Sequence, residues 1–589
     1  MDDTSDWMSR KAKGSLSPVR SIGVPGRHAE PERKSPIAKF WLLLQSRSGI
    51  AIVLAIAAFA TRLLPLYISS YPYNNDSLTE GTIASDILSG GHLEYPEGRS
   101  YVDTHSVVTP VYNVLIAFCS AAIGSAPLEL IQYLVAVLAV ITVFAVYLIS
   151  RRISQSIGGG VVAGIFVVLL GTFVFLTASG WKESLGIALL VLFIYAYMSR
   201  GDKRMLVLQI LLLLVIPFVH HLVAAIAYLF VWYLTVWSLF FAVANRTLRR
   251  RHILDIAIIL GLSVFAYAYY ALSSLDRLIS VREGMGALAL LASFVVLCVI
   301  SILVLRLPRH AKLTFAPLPA LGLFAVLVWD YYNPLFPYTP GSPELVIALI
   351  AAVSSLVAVA WFGLEKSVES ASRFRAIPIG LLLPFVTIAM FVIVQGLSIG
   401  GTQILYRTFD YADIALAVGV AVAVAHLRGH GTRGLRNVLH AGILVALLIT
   451  IPYAYETGEL TGVRHDTQAY EVDCIAWLNQ TSAVDSLLQS DERLSYIGMA
   501  LYDYEKMPWL PRRLTEEGNL GIGAYYVLED EWMVNGVNAF PEGQIMPDSE
   551  KVAEMLRNSN VLYLGGPDSN NIVLFEATLV GQAQNSSDD

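Results

Sequence analysis

Charged residues are scarce in this chain of 589 residues, of which only 15% are Asp, Glu, Lys or Arg. Apolar residues make up 56% and the mean hydropathy is +0.60, which exceeds what one soluble core needs. Apolar runs recur at close to the roughly 20 residues that cross a hydrocarbon core of about 30 Å as a helix. The alternation expected of a strand barrel is absent. The composition therefore predicts a helical integral membrane protein.

Cysteine is also scarce, and the three residues Cys119, Cys298 and Cys474 lie far apart. They indicate neither a disulfide framework nor a zinc site. The sequence contains no GxxxxGK[ST] motif and no GxGxxG between a strand and a helix. These absences argue against a sugar donor supplied as a cytoplasmic nucleotide. The net charge of −6 combines basic short loops with an acidic C-terminal end. This asymmetry indicates how the protein is oriented in the membrane, and it is not evidence for nucleic-acid binding.

The apolar runs predict an all-α polytopic domain over residues 49–455 with about thirteen transmembrane helices. Residues 1–48 form a cytoplasmic and mostly disordered tail in this interpretation. Pro217, His220 and His221 predict a hairpin between two of the helices. The predicted spans are 49–70, 128–150, 158–179, 184–199, 205–219, 222–244, 253–272, 286–305, 314–329, 344–364, 376–398, 411–427 and 436–455.

Residues 107–123 are apolar enough to form another span, and the positive-inside rule decides against it. If this segment does not cross, six basic connections fall on the same side as the basic tail. Residues 107–123 are therefore predicted to be a juxtamembrane or re-entrant helix. The basic connections are 151–152, 200–204, 246–251, 306–312, 366–375 and 428–433.

The first outer loop, residues 71–127, is too long to be a simple connector. Its residues from Thr79 to Leu88 are compatible with a helix that ends at Ser89-Gly90-Gly91, and we expect that helix to lie on the membrane surface. Asp76 precedes it. Its carboxylate would serve as a general base or a metal ligand, or else only as the N-cap of this helix.

Two further outer elements contain candidate residues. Lys182 and Glu183 lie in a turn after Trp181, where they either bind substrate or simply solvate the turn. In the second case Trp181 would only anchor the chain at the membrane interface. Arg407 suits a lipid phosphate because its guanidinium is a bidentate donor, or it forms an ordinary ion pair with Asp410. The remaining candidate substrate-binding residues are His105, His220 and His221.

Residues 456–589 alternate helix-like and strand-like segments and are predicted to form a small extracytoplasmic α/β domain. The predicted helices lie near 470–480 and 549–558, and the predicted strands near 525–528, 561–564 and 572–575. Such a domain would read the acceptor or cap an outer cleft.

The chain resembles the GT-C glycosyltransferases, and within them the catalytic subunits of oligosaccharyltransferases. The resemblance rests on the expected topology and on Asn75-Asp76 followed by Glu80, Gly81, Ala84 and Asp86. It implies that Asp76 is the catalytic or metal-binding carboxylate and that Arg407 helps to hold the substrates. The family's second outer loop has a DxD or DxE motif, whereas this chain offers only Glu183 preceded by Lys182.

The resemblance implies a membrane glycosyltransferase that moves a sugar from a polyprenyl, here dolichyl, phosphate to a glycan or protein acceptor outside the membrane. Asp76 and Glu183 are the candidate catalytic residues. No cofactor is certain, although a divalent metal, Mg²⁺ or Mn²⁺, could be held by the same two carboxylates. Three competing functions stay open. They are an oligosaccharyltransferase acting on protein Asn, a polytopic transporter or flippase of lipid-linked glycans, and a non-catalytic scaffold.

Overall fold

The computed structural model describes residues 47–91, 108–273, 285–306, 318–332, 343–369, 374, 376–394, 399–430, 432–455, 464–481, 487–505, 510–514, 524–539, 543–567 and 571–577. The chain divides into two units, Met1–Ile50 and Ala51–Asp589. The predicted tail lies almost entirely outside the described residues. His105 also lies outside them. Everything below concerns the second unit.

Helices dominate the membrane part of the chain, and a described helix lies at each of the thirteen predicted spans. They are α1 (Arg47–Leu63), α2 (Asp76–Gly90), α3 (Val111–Ile123), α4 (Pro127–Ser154), α5 (Ile157–Leu169), α6 (Gly171–Ala178), α7 (Lys182–Met198), α8 (Lys203–Val215), α9 (His221–Ala244), α10 (Arg250–Leu272), α11 (Met285–Arg306), α12 (Leu318–Tyr332), α13 (Pro343–Glu369), α14 (Ile377–Val394), α15 (Ile399–His430), α16 (Arg433–Thr450) and α17 (Pro452–Tyr455).

Length and composition qualify seven of the described helices as membrane-crossing, or eight if the bent pair α5 and α6 forms one span. The protein is therefore a polytopic membrane protein, and the count of about thirteen stays a prediction. Helix α3 has 13 residues, the same length as α5 and α8, so the prediction that it does not cross rests on the positive-inside rule alone. The hairpin expected at Pro217 is present, because a short 3₁₀ turn, Ile216–Phe218, joins α8 to α9.

The predicted span 158–179 is not one helix, because α5 and α6 meet at an angle of 65°. The guanidinium of Arg62 is fully buried and donates to the carbonyls of Val167 and Val168 at 2.8 and 3.1 Å. Arg62 thus satisfies carbonyl groups that the broken helix leaves unpaired in the membrane. On the other side of the break, the Gly171 N–H donates to Thr450 Oγ1 at 2.9 Å. A Cβ at Gly171 would lie 1.7 Å from the Thr450 carbonyl oxygen, so only glycine fits there.

Helix α2 begins three residues earlier than predicted, at Asp76, and ends before Gly91, which has a φ of 70°. Its N-terminal half is buried against α3, α4 and a C-terminal helix, and its position relative to the membrane surface stays a prediction. Leu78 is fully buried in the apolar core of the C-terminal region, whereas Ala84 belongs to a core shared with α3 and α4. The helix therefore joins the membrane helices to the C-terminal region.

The C-terminal region contains the α/β elements that the sequence predicts, and a domain boundary at residue 456 stays a prediction. A sheet of four strands has the order β1-β2-β6-β5, in which β1 and β2 are parallel and the other pairs antiparallel. Strands β3 and β4 form a separate hairpin. The elements are α18 (Ala469–Thr481), β1 (Leu487–Gln489), α19 (Glu492–Tyr502), α20 (Leu510–Arg513), β2 (Ala524–Glu529), α21 (Trp532–Asn535), β3 (Val537–Ala539), β4 (Gly543–Ile545), α22 (Ser549–Arg557), β5 (Ser559–Gly565) and β6 (Ile572–Ala577).

Candidate functional site

Asp76 is the first residue of α2 and follows a tight loop. Asn74 has a φ of 79° in this loop, a left-handed conformation that Asn tolerates better than most residues. Its Oδ1 accepts the Asp76 N–H at 3.0 Å, and Ser77 Oγ donates to the Tyr73 carbonyl at 2.6 Å. Asn75 occupies the N-cap position. The interpretation of Asp76 as the N-cap is therefore wrong, because Asp76 is inside the first turn and the Asn74 side chain accepts its N–H.

Glu183 lies in the first turn of α7, where the helix dipole favours a negative charge. Its Oε1 is 2.8 Å from Arg407 Nη1 on α15 and 3.1 Å from His220 Nε2 at the start of α9. Glu183 is only 3% exposed, so the interpretation that it solvates a turn is wrong. Burying a carboxylate at this depth requires charged or hydrogen-bonded partners, and two other helices, α9 and α15, supply them here.

Arg407 lies over the ring of Trp181, with its Cζ 5.4 Å from the ring centroid. Trp181 is itself buried, and its Nε1 donates to the Leu176 carbonyl at 2.8 Å. Trp181 is therefore part of the site and not an interface anchor. The observed carboxylate partner of Arg407 is Glu183, whereas the side chain of Asp410 lies outside the described residues.

Lys182 is also buried, and its Nζ lies 3.3 Å from Glu80 Oε1 on α2. The side-chain nitrogen of Asn113, on α3, donates to Glu80 Oε2. The expectation that Lys182 solvates the turn is therefore wrong. The pair fixes the start of α7 against the middle of α2, one helical turn after Asp76.

The two clusters lie close to each other. The charge of Asp76 acts on Arg407, and the charges of Glu80 and Glu183 both act on the hydroxyl of Tyr112. That hydroxyl is buried and has no hydrogen-bond partner among the described residues. The structure therefore brings together Asp76, Lys182, Glu183, His220 and Arg407, which the sequence analysis selected from four separate segments.

The two adjacent histidines, both candidate substrate-binding residues, have different contacts. His220 contacts Glu183, and the ring of His221 stacks on the ring of His220 with centroids 4.6 Å apart. Nδ1 of His220 is buried and has no hydrogen-bond partner among the described residues.

No group of three or more His, Cys, Asp or Glu side chains that could hold a metal ion occurs in the described part of the chain. Oε1 of Glu183 is occupied by Arg407 and His220, and Glu80 by Lys182 and Asn113. Cationic and amide groups thus take the positions around these carboxylates that a metal would need. These contacts do not favour Mg²⁺ or Mn²⁺ at Glu183, since these ions prefer several oxygen ligands.

The sequence analysis missed the contribution of residues 464–468, which precede α18. The carbonyl of His465 accepts the Asn74 N–H at 2.9 Å, and Thr467 Oγ1 donates to Asn75 Oδ1 at 3.3 Å. These contacts join positions almost 400 residues apart, and nothing in the local sequence around His465 indicates them.

No protein-family model and no curated protein matches the sequence. Among solved structures, the chain is similar to the oligosaccharyltransferase AglB from Archaeoglobus fulgidus in complex with an inhibitory peptide and a dolichol-phosphate. The identity is 14% and the TM-score 0.48, over 85% of this chain and 70% of that one.

Two other solved structures are similar over most of this chain. The arabinofuranosyltransferase AftD from Mycobacteria has 12% identity and a TM-score of 0.45, over 90% of this chain and 40% of that one. ArnT from Cupriavidus metallidurans, bound to undecaprenyl phosphate, has 11% identity and a TM-score of 0.33, over 90% and 98%. All three are GT-C membrane glycosyltransferases, the class that the sequence resembles. These similarities assign no role to any residue.

Proposed function

We propose that the chain is a membrane glycosyltransferase that moves a sugar from a polyprenyl phosphate, dolichyl phosphate in our assignment, to an acceptor hydroxyl on the outer face of the membrane. The observation that carries this proposal is the clustering of Asp76 with the Glu183–Arg407–His220 group at one end of the membrane helices. A carboxylate and a partly exposed guanidinium at one site supply a proton acceptor and a phosphate ligand. Sugar transfer from a lipid phosphate to a hydroxyl needs both groups.

Asp76 acts as the general base in this mechanism. It takes the proton of the acceptor hydroxyl while the oxygen attacks the anomeric carbon of the sugar. The bond between that carbon and the phosphate oxygen breaks at the same time, and the lipid phosphate leaves with the electron pair. Asn74 holds the backbone of Asp76 through its N–H, so the carboxylate is positioned before the substrate arrives.

Arg407 stabilises the departing phosphate. Its side chain is 38% exposed, whereas that of Glu183 is 4% exposed. Glu183 therefore holds the guanidinium from the buried side, and the planar donor group remains accessible to a phosphate from the other side. His220 shares the carboxylate of Glu183 and fixes its orientation from α9.

Lys182 has a different role from the phosphate ligand that the sequence suggested. Its ammonium group is buried on Glu80, and in this proposal it holds α2, and with it Asp76, against α7. The positive charges that the reaction needs then come from the protein itself, which favours a metal-free transferase that uses a lipid monophosphate donor.

The membrane orientation completes the proposal. We infer a chain with about thirteen spans, a cytoplasmic basic tail and an extracytoplasmic C-terminal domain over residues 456–589. In that orientation Asp76 and Arg407 lie at the outer face. The C-terminal region then covers the site from outside.

The experiment is a transfer assay with a radiolabelled sugar on a lipid phosphate, using the purified full-length protein in detergent. Asp76→Asn and Asp76→Ala are expected to lower the rate by at least about 100-fold, in line with the loss of a general base. The matched control is Glu129→Gln, which neutralises an exposed carboxylate in the first turn of another helix, α4. Transfer at the rate of the unmodified protein after Asp76→Asn would rule out the assigned base.

A further inference from the structure

Residues 464–468 of the C-terminal region run along the loop that carries Asp76. Besides the backbone bond from Asn74 to His465, the hydroxyl of Ser69 donates to the Thr467 carbonyl. The ring of His465 packs against Phe175, with centroids 4.8 Å apart, and against Tyr73 at 6.5 Å. The imidazole therefore occupies an aromatic pocket formed by the first outer loop and α6.

The neighbouring Asn74 depends on this contact. Asn74 has a φ of 79°, a left-handed conformation that Asn adopts more readily than most residues, and its contacts with His465 hold it there. Its backbone N–H is bound by His465, and its side-chain Nδ2 lies 3.5 Å from His465 Nδ1. Its Oδ1 accepts the N–H of Asp76 at 3.0 Å. One asparagine thus connects the histidine to the proposed base.

The orientation of the Asn74 amide is coupled to the tautomer of His465, since the Asn74 Nδ2 and His465 Nδ1 atoms lie 3.5 Å apart. Burial lowers the pKa of His465 from 6.5 to about 4, so the imidazole is neutral near pH 7. A neutral ring protonated on Nε2 presents Nδ1 as an acceptor, and the Asn74 amide then donates Nδ2 to it. Only in that orientation is Oδ1 available to the N–H of Asp76, since a flipped amide would oppose two donors.

The C-terminal region fixes His465 through its neighbour Arg464. The guanidinium of Arg464 lies 2.8 Å from Glu531, 3.1 Å from Asp466 and 3.5 Å from Glu471. Burial raises the pKa of Asp466, but the charge of Arg464 outweighs this effect and brings it down to about 2. The carboxylate is therefore ionised, and the ion pairs tie residues 464–466 to the elements around α18.

We propose that His465 is a positioning residue for sugar transfer, which orients Asp76 through the amide and backbone of Asn74. The inference rests on the proposed role of Asp76 as the base. It makes the C-terminal region a working part of the active site and not only a cover over it.

The test compares kcat and KM for the lipid-phosphate donor in a set of variants of the full-length protein. His465→Ala removes the ring and keeps the backbone carbonyl, whereas His465→Asn restores a side chain that can accept from Asn74. Asn74→Gly keeps the left-handed backbone available and removes only the amide. We expect His465→Ala and Asn74→Gly each to lower kcat by about 10- to 100-fold with KM changed less than about twofold, since misplacing a catalytic group by about 1 Å costs up to 100-fold.

Two further measurements separate positioning from a loss of folding. His465→Asn is expected to recover most of the lost kcat, and the double variant of His465→Ala with Asn74→Gly is expected to be no slower than Asn74→Gly alone, because both changes act on one path. Any of three results would overturn the inference. They are equal losses in kcat for His465→Ala and His465→Asn, fully additive losses in the double variant, and an unchanged kcat in Asn74→Gly. Should His465→Ala fail to fold, Asn74→Gly alone decides.

Failure of this inference differs from failure of the proposed function. If Asp76→Asn abolishes transfer while Asn74→Gly and His465→Ala transfer normally, the base assignment stands and the positioning role is wrong. If Asp76→Asn transfers normally, the proposed function is wrong in its central step, whatever the other variants do.

Discussion

The carboxylate of Glu183 and the guanidinium of Arg407 lie 2.8 Å apart although 224 positions separate them in the sequence. The pair is asymmetric, because the Glu183 side chain is 4% exposed and that of Arg407 is 38% exposed. Glu183 therefore belongs to the protein interior and Arg407 to the wall of the site. The pair joins α7 to α15 and positions the cation that we assign to the lipid phosphate.

Changing either residue of this pair is expected to weaken donor binding. Glu183→Gln leaves Arg407 without its buried counter-charge, and losing one partner of a buried pair costs about 3–5 kcal/mol. Arg407→Lys removes the planar bidentate donor. Each variant should raise KM for the lipid-phosphate donor by about 10-fold or more, measured at saturating acceptor. Arg433→Lys, at an exposed position, is the matched control.

A double-mutant cycle tests whether the two residues act together. The effects of Glu183→Gln and Arg407→Lys on kcat/KM are expressed as changes in transition-state free energy. The change in the double variant should be smaller than the sum of the two single changes by about 0.5–3 kcal/mol, the range for residues in contact. Additive effects would show that the pair is not coupled in the working protein.

Gly180 offers a test of the packing between the outer loops. Its N–H donates to the Tyr73 carbonyl at 3.2 Å, and an added Cβ would lie 2.3 Å from Ile131 Cγ2 and 2.5 Å from Ser77 Oγ. Gly180→Ala is therefore expected to push the loop that carries Asp76 away from α7, and to lower kcat by about 10-fold or more. Gly201→Ala is the control, since no heavy atom lies within 4 Å of the position of its Cβ. Equal rates for the two variants would contradict the packing shown here.

Metal dependence is a fourth prediction. Because the carboxylates near Asp76 form ion pairs with Arg407 and Lys182, we expect transfer to continue at an unchanged rate after dialysis against EDTA. The rate is measured before and after chelation and again with added Mg²⁺ or Mn²⁺. Suppose that chelation lowers the transfer rate by more than about fivefold and that either ion restores it. The reaction would then use a metal, which contradicts the proposed metal-free mechanism.

The sequence predicted the elements of the fold well where periodic or compositional signals are strong. Helices occur at every predicted span, and α18, α22, β2, β5 and β6 lie within one or two residues of their predicted positions. The break at Gly171 was not predicted, because it depends on Arg62 and Thr450 from distant helices. A uniformly apolar run contains no local sign of such a bend.

For the candidate site, chemistry at the ends of the spans identified the residues but not their partners. Asp76, Glu183 and Arg407 stand out in the sequence because polar groups are rare beside apolar runs. The pairings Glu80–Lys182 and Glu183–His220 could not be predicted, since they are set by how helices cross. His465 could not be found at all, because its function depends on a loop almost 400 residues away.

The most direct test of the account is to measure on which side of the membrane the helix that begins at Asp76 lies. Ser89→Cys places a thiol at an exposed position of α2, and Arg249→Cys places one at an exposed position before α10. Sealed cells are treated with a membrane-impermeant maleimide, and the unmodified chain with its three cysteines gives the background. We predict that the thiol at position 89 is labelled in sealed cells and the thiol at position 249 only after permeabilisation. Labelling of both in sealed cells, or the reverse pattern, would contradict the account.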